Sequence, residues 1–92
     1  VDLRTAGAMA TFFFHEETLP VDEAGTTRLV RYYFDDIGGE VLTRSFRVFP
    51  AAARTEFIDN ARIPFADLRL DLKKRLVELL AHRERSHLRL AS

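Results

Sequence analysis

The chain has 92 residues, and 47% of them are hydrophobic, which is ample for a packed interior. A chain of this length builds a single domain, 1–92, with no room for a second core. The formal net charge is zero, which removes any whole-chain electrostatic argument for nucleic-acid or membrane affinity. The chain has no cysteine, which excludes disulfides and thiolate metal sites and is typical of a cytoplasmic protein.

The charges are unevenly distributed along the chain. Residues 1–61 carry six Lys/Arg against ten Asp/Glu, and residues 62–92 carry eight against four, which gives −4 and +4. Two copies with this split can attract each other head to tail. No segment approaches the roughly 18 apolar residues that would span a bilayer, and the start shows no signal-peptide pattern. Residues 1–8 are expected to form a loose N-terminal segment.

Aromatic and β-branched residues predict the first two strands. Ala10–His15 is short and aromatic, and Leu29–Asp35 alternates between two sets of side chains. Between these strands, Glu16–Thr27 contains Pro20 and Gly25 and is expected to be a loop of about a dozen residues.

The segment Asp35–Glu40 predicts a β-hairpin, because Gly38 and Gly39 supply positive-φ positions between two strand-like runs. A two-residue loop would divide the apolar residues between both faces of the hairpin. A three-residue loop, from Ile37 to Gly39, with a glycine bulge gathers more of them on one face, and the buried face sets the register. With this register the core face carries Val30, Tyr32, Phe34, Leu42, Phe46 and Val48. The outer face carries Leu29, Arg31, Tyr33, Val41, Thr43, Ser45 and Arg47.

Two helices are predicted after the hairpin. Pro50 and the following alanines predict a short helix that ends near Ala61, and the long helix runs from about Ala66 to His87. One face of the long helix carries a leucine stripe: Leu68, Leu72, Leu76, Leu79 and Leu80. A second, thinner stripe consists of Leu70, Val77 and Leu88, and Asp71 and Arg75 have the spacing of a helical ion pair. The expected fold is α+β: a three-stranded antiparallel sheet, made of the hairpin and the N-terminal strand, packed against a short and a long C-terminal helix.

Residue patterns for catalysis and metal binding are weak. Asp35 and Asp36 are adjacent, but neighbouring strand residues point to opposite faces, and a turn explains both carboxylates. Glu78 and His82 supply only half of a metal site. No serine lies on a glycine-flanked elbow, and no phosphate loop is present. The protein is therefore expected to be non-catalytic, with no cofactor and no metal.

Surface association is the leading functional hypothesis. A sheet with apolar residues on both faces leaves more apolar surface than a monomer usually exposes. We expect a protein–protein interaction or oligomerisation module, a small homodimeric accessory protein. Its expected interface consists of Phe13, Leu29, Tyr33, Val41, Leu70, Val77 and Leu88.

The alternative is a single-stranded nucleic-acid-binding domain, since arginines beside an exposed tyrosine provide charge and a stacking platform. Its contacts would come from the hairpin and the basic helix end, through Arg31, Tyr33, Arg47, Arg83 and Arg85.

Overall fold

The computed structural model describes residues 11–91, with the side chains of residues 11–84. Four strands follow one another along the chain: β1 (Thr11–Pro20), β2 (Thr27–Asp35), β3 (Glu40–Phe49) and β4 (Arg54–Pro64). They form one antiparallel sheet in the order β1-β2-β3-β4. Short 3₁₀ turns at Pro50–Ala52 and Phe65–Asp67 flank β4, and helix α1 (Leu70–Ala91) ends the described part.

The fold is α+β, but the prediction of three strands and two helices is wrong, because β4 occupies the segment expected to be the short helix. Ala53 adopts a left-handed conformation (φ 49°) that ends the 3₁₀ turn and returns the chain along β3. Ten of the eleven β4 residues are exposed, so β4 lacks the apolar alternation that identifies a half-buried strand. The alanine run before it indicated a helix instead.

The predicted hairpin is present, but its loop has four residues, from Asp36 to Gly39, and the predicted register is wrong. Asp35 pairs with Glu40, and Phe34 therefore lies opposite Val41 rather than Leu42. The Asp35 carboxylate accepts hydrogen bonds from the backbone N–H groups of Ile37 (3.0 Å) and Gly38 (3.1 Å). Of the two loop glycines, only Gly39 has a positive φ, 70°. An aspartate-capped loop sets the pairing.

This register divides β3 between the two faces of the sheet. Val41, Thr43 and Ser45 are buried on the inner face, which also carries Val30, Tyr32 and Phe34. The larger apolar side chains of β3 lie on the outer face: Leu42, Phe46 and Val48. The inner face forms the core together with Phe14 and with Leu68, Leu72 and Leu76 from the α1 region, which confirms that the leucine stripe packs inward.

Helix α1 begins at Leu70, four residues later than expected, and lies against β1. A β-bulge at Phe14 shifts the β1–β2 register, and the Phe14 carbonyl oxygen accepts a 2.8 Å hydrogen bond from Arg75 Nε. Arg75 is thus not the ion-pair partner of Asp71. Asp71 instead accepts hydrogen bonds from Arg69, at 3.1 Å from both Nε and Nη2. The hydrogen bond from Arg75 to the Phe14 carbonyl thus holds the helix to the first strand.

Among the described residues, no helix combines the length and the apolar character needed to cross a membrane.

Candidate interaction surface

The candidate site is the outer face of the sheet, the face opposite α1. Cross-strand pairing arranges its side chains in rows that run from β1 to β4. The three central rows are Phe13–Tyr33–Leu42–Arg62, Glu16–Arg31–Arg44–Asn60 and Thr18–Leu29–Phe46–Phe57. A row of charged and polar residues therefore lies between two rows that are mainly apolar. Neighbouring rows are about 7 Å apart, since two residues of antiparallel strand separate them.

The aromatic rings of the outer face are only partly buried. Phe13 is 45% exposed and Phe57 is 53% exposed, and Tyr33 and Phe46 are half-buried. Each exposed phenylalanine packs edge-to-face against its cross-strand partner, with 5.7 Å between the ring centroids of Phe13 and Tyr33 and 5.8 Å between those of Phe46 and Phe57. No other described element packs against these rings, so the face is an apolar surface supported by pairing within the sheet.

Two arginines lie directly opposite each other in the central row, Arg31 on β2 and Arg44 on β3. Like charges in this position destabilise a sheet unless a counter-charge is near. Arg31 Nε lies 3.2 Å from Glu16 Oε2, and the Arg31 guanidinium lies 4.8 Å from the ring centroid of Phe13. Within the described residues Arg44 has no carboxylate partner. Its guanidinium lies 5.7 Å and 5.8 Å from the ring centroids of Phe46 and Phe57.

The hairpin end of the outer face is acidic, with one arginine between two carboxylates. Arg62 Nη1 lies 3.8 Å from Asp35 Oδ2 and 3.5 Å from Glu40 Oε1. When Arg31, Arg44 and Glu16 are added to these three residues, the outer face holds three arginines and three carboxylates. The outer face is therefore neutral as a whole, and Arg44 is its cation without a described carboxylate partner.

The residues predicted for a partner interface lie in three places. Phe13, Leu29 and Tyr33 are on the outer face, as expected. Val41 is fully buried in the core, so its predicted outer-face position is wrong, and the hairpin register is the reason. Leu70 (66% exposed) and Val77 (54% exposed) lie on α1, beyond the other face of the sheet. The side chain of Leu88 lies outside the described side chains.

The residues predicted for nucleic-acid contact are also divided. Arg31 and Tyr33 share the outer face, whereas Arg47 pairs with Arg28 on the inner face, so its predicted outer-face position is wrong. The Arg83 guanidinium lies 4.2 Å from the ring centroid of Phe12, which pairs with the buried Phe34 on the helix side of the sheet. The side chain of Arg85 is outside the described side chains. The hairpin and the basic helix end therefore do not form one surface through Arg31 and Arg83.

A polar cluster lies where β1 meets the start of α1. Arg69 donates hydrogen bonds of 3.0 Å to both Glu17 carboxylate oxygens, and His15 Nε2 lies 3.1 Å from Glu17 Oε1. Hydrogen bonds from Arg69 hold the pKa of Glu17 below its ordinary value, against the opposing effect of burial, and His15 lowers it further. Burial raises the pKa of Tyr32 beside them. The two hydrogen bonds from Arg69 join β1 to the start of the helix, so the cluster holds the helix in place.

Two other features of the described surface lack the character of a binding site. A shallow groove of about 340 Å³ lies between Phe65 and α1, and it is lined also by Lys73, Lys74, Val77 and Glu78. Its two lysines are offset by Glu78, and it opens widely to solvent. Among the described residues, no group of three or more His, Asp or Glu side chains could hold a metal ion.

Sequence reasoning missed the β3–β4 side of the outer face: Leu42, Arg44, Phe46, Val48 and Phe57. The predicted three-residue loop also places Arg44 on the core face, between Leu42 and Phe46. That was the available signal against it, because an unpaired arginine in a core is costly. Moving the register by one residue places Arg44 in solvent and turns Phe46 outward with it.

Comparisons of this chain with protein-family models, with curated proteins and with solved structures give no match.

Proposed function

We propose that this protein is a non-catalytic cytoplasmic interaction module that associates with a second copy of itself through the outer face of its sheet. The observation that carries this proposal is the pair of apolar rows on a sheet face against which no other described element packs. Those rows and their neighbour Val48 contribute seven apolar side chains: Phe13, Leu29, Tyr33, Leu42, Phe46, Val48 and Phe57.

Sheet-on-sheet packing suits this surface. Two sheets that pack face to face interlock the side chains of their inner faces across about 10 Å. In a two-fold dimer the same patch contributes from both subunits, so a neutral patch meets a neutral patch without net repulsion. The balance of three arginines and three carboxylates on this face supports a second copy as the occupant.

The size of the chain also favours association. A domain of 92 residues buries only about 60–65% of the surface of its unfolded chain, which leaves little margin of stability. Covering the outer face removes half-exposed rings from water, at roughly 25 cal/mol for each Å² of apolar area. The second copy would then contribute to the stability of the fold as well as to its function.

Sedimentation velocity and light scattering test the proposal across a wide concentration range. The expected result is a shift, as concentration rises, toward about twice the 10.6 kDa chain mass. The double variant Phe13→Ser/Phe57→Ser should remain monomeric, because it replaces a half-exposed ring in each apolar row.

The matched control is Ile37→Ser. Ile37 is 84% exposed at the hairpin tip, outside the apolar rows, so its substitution should leave the dimer unchanged. A wild-type chain that stays monomeric at every concentration contradicts the proposal. A dimer that the double variant forms as readily as the wild type contradicts the assignment of the interface.

A further inference from the structure

Both faces of the β2–β3 pair carry an arginine opposite an arginine: Arg31 with Arg44 on the outer face and Arg28 with Arg47 on the inner face. In each pair the β2 arginine has a carboxylate nearby, since Arg31 lies beside Glu16 and Arg28 Nη2 lies 3.7 Å from Asp59. Within the described residues, Arg44 has no carboxylate partner, whereas Arg47 lies opposite Glu56 in the β3–β4 pairing. A directly opposed pair of like charges favours an anion between or above its members.

The two pairs differ in their surroundings. The outer pair lies between two rows that carry rings, with Phe13 and Tyr33 on one side and Phe46 and Phe57 on the other. The inner pair has buried Ser45 and Val30 in the adjoining row. The half-buried ring beside the inner pair, Phe49, already has the Arg54 guanidinium 4.7 Å from its centroid. The outer pair, by contrast, has half-exposed rings on both sides on which a planar group can stack.

We propose that Arg31, Arg44, Phe46 and Phe57 form a site for a short single-stranded nucleic acid. The guanidinium groups bind phosphate oxygens along the central row, and the rings stack bases beside them. Charge along the backbone combined with sequence-tolerant stacking is how single strands are held without base-specific contacts. This activity goes beyond self-association. Because the site lies within the face proposed for the second copy, a bound strand and the second copy would compete for that face.

The acidic groups set the limits of the site. Glu16 lies on the β1 side of Arg31, and Asp35 and Glu40 border the hairpin end, so phosphates are repelled beyond both limits. The bound strand is thus confined to the middle of the central row, from Arg31 across Arg44 to Asn60. A footprint of about two phosphates follows, and binding should be detectable mainly at low salt.

The decisive experiment titrates the full chain into a short fluorescein-labelled oligothymidylate at several salt concentrations and measures anisotropy. Two phosphate contacts on a single strand predict a slope of about −1.4 for log K against log salt. Arg44→Gln should reduce this slope to about −0.7, and Phe57→Leu should weaken binding by about fivefold or more.

Arg47→Gln is the matched control. It removes the same charge from the same strand, but its side chain is exposed on the opposite face. It should leave the affinity and the salt slope unchanged. Circular dichroism of each variant establishes that it is folded, and Phe57→Leu still tests the site if Arg44→Gln fails to fold.

Three outcomes would overturn the inference. The first is absence of binding at low salt. The second is an equal loss of affinity in Arg47→Gln and Arg44→Gln. The third is an oligoglutamate that competes for the protein as well as the oligonucleotide does. The last outcome would identify a surface for acidic proteins instead. Mass measurements keep the two proposals separate, because a monomer that binds the oligonucleotide supports this inference alone. A dimer that does not bind it supports self-association alone.

Discussion

The two faces of the sheet are made by alternate residues of the same strands, yet they are stabilised in different ways. On the inner face, Val41, Thr43 and Ser45 of β3 are buried in or beside a core closed by the leucines of the α1 region. On the outer face, Leu42 and Phe46 are larger but only half-buried, and Arg44 between them is exposed. Side-chain size therefore does not decide which face becomes the core. The face that receives the helix becomes the core, and the other retains apolar surface for a partner.

The largest expected effect comes from the inner face. Leu76 is fully buried between α1 and the sheet, so Leu76→Ala should lower the free energy of unfolding by about 2–5 kcal/mol in urea titrations. Its neighbour Val77 is 54% exposed, and Val77→Ala should cost less than about 1 kcal/mol. Equal losses of unfolding free energy in the two variants would mean that the helix does not pack on this face.

A matched pair of substitutions on β3 compares the two faces directly. Val41→Thr places a hydroxyl in the core and should lower the free energy of unfolding by about 1–3 kcal/mol. Val48→Thr makes the same change on the outer face and should stay within about 0.5 kcal/mol, when measured by urea unfolding of the monomer. The reverse order would indicate the other hairpin register, in which Val41 faces outward.

The next effect concerns the contact between the helix and the bulge. Arg75→Met keeps an aliphatic side chain but removes the hydrogen bond to the Phe14 carbonyl, so it should cost about 1–2 kcal/mol of unfolding free energy. Hydrogen exchange of amides in β1 should rise more than that of amides in β3, because β1 carries the Phe14 carbonyl to which Arg75 donates. Lys74→Met, on the exposed side of the helix, is the control, and an equal loss there would count against the bulge contact.

The smallest expected effect is the pH dependence of the polar cluster. Arg69 lowers the pKa of both Glu17 and Asp71, so the folded state binds these protons less tightly than the unfolded chain does. This stabilisation is present above the ordinary carboxyl range, near pH 4.5 for Glu17, and is lost as the pH falls through that range toward the lowered values.

Glu17→Gln should therefore reduce the acid-induced fall of the thermal midpoint and should cost less than about 1 kcal/mol at neutral pH. Glu23→Gln, in the exposed loop before β2, is the control for the lost charge. If both variants lose stability in acid as steeply as the wild type, then the Arg69–Glu17 contact does not contribute to the pH dependence.

Much of the local structure was predictable because it depends on neighbouring residues. The aromatic start of β1, the hairpin around Gly39 and the leucine stripe of α1 all follow from short-range patterns. The strand itself continues to Pro20, through a segment predicted to be part of the loop. The outer-face positions of Leu29, Arg31 and Tyr33 were also anticipated, since β2 alternates regularly. The β3–β4 part of the candidate site was not, because it required the correct register and a fourth strand.

By itself, then, the sequence determined an α+β domain with a leucine-faced C-terminal helix and an aromatic hairpin, because turn chemistry and the 3.6-residue period operate over a few residues. The tertiary structure decided whether 54–64 formed a helix or a strand, since an exposed edge strand gains its stability from pairing with β3 rather than from its own pattern. It also decided which face of the hairpin would be buried. The aspartate-capped loop set the register, and the helix covered the face with the smaller β3 side chains, which left Arg44 and its neighbouring rings on the open side.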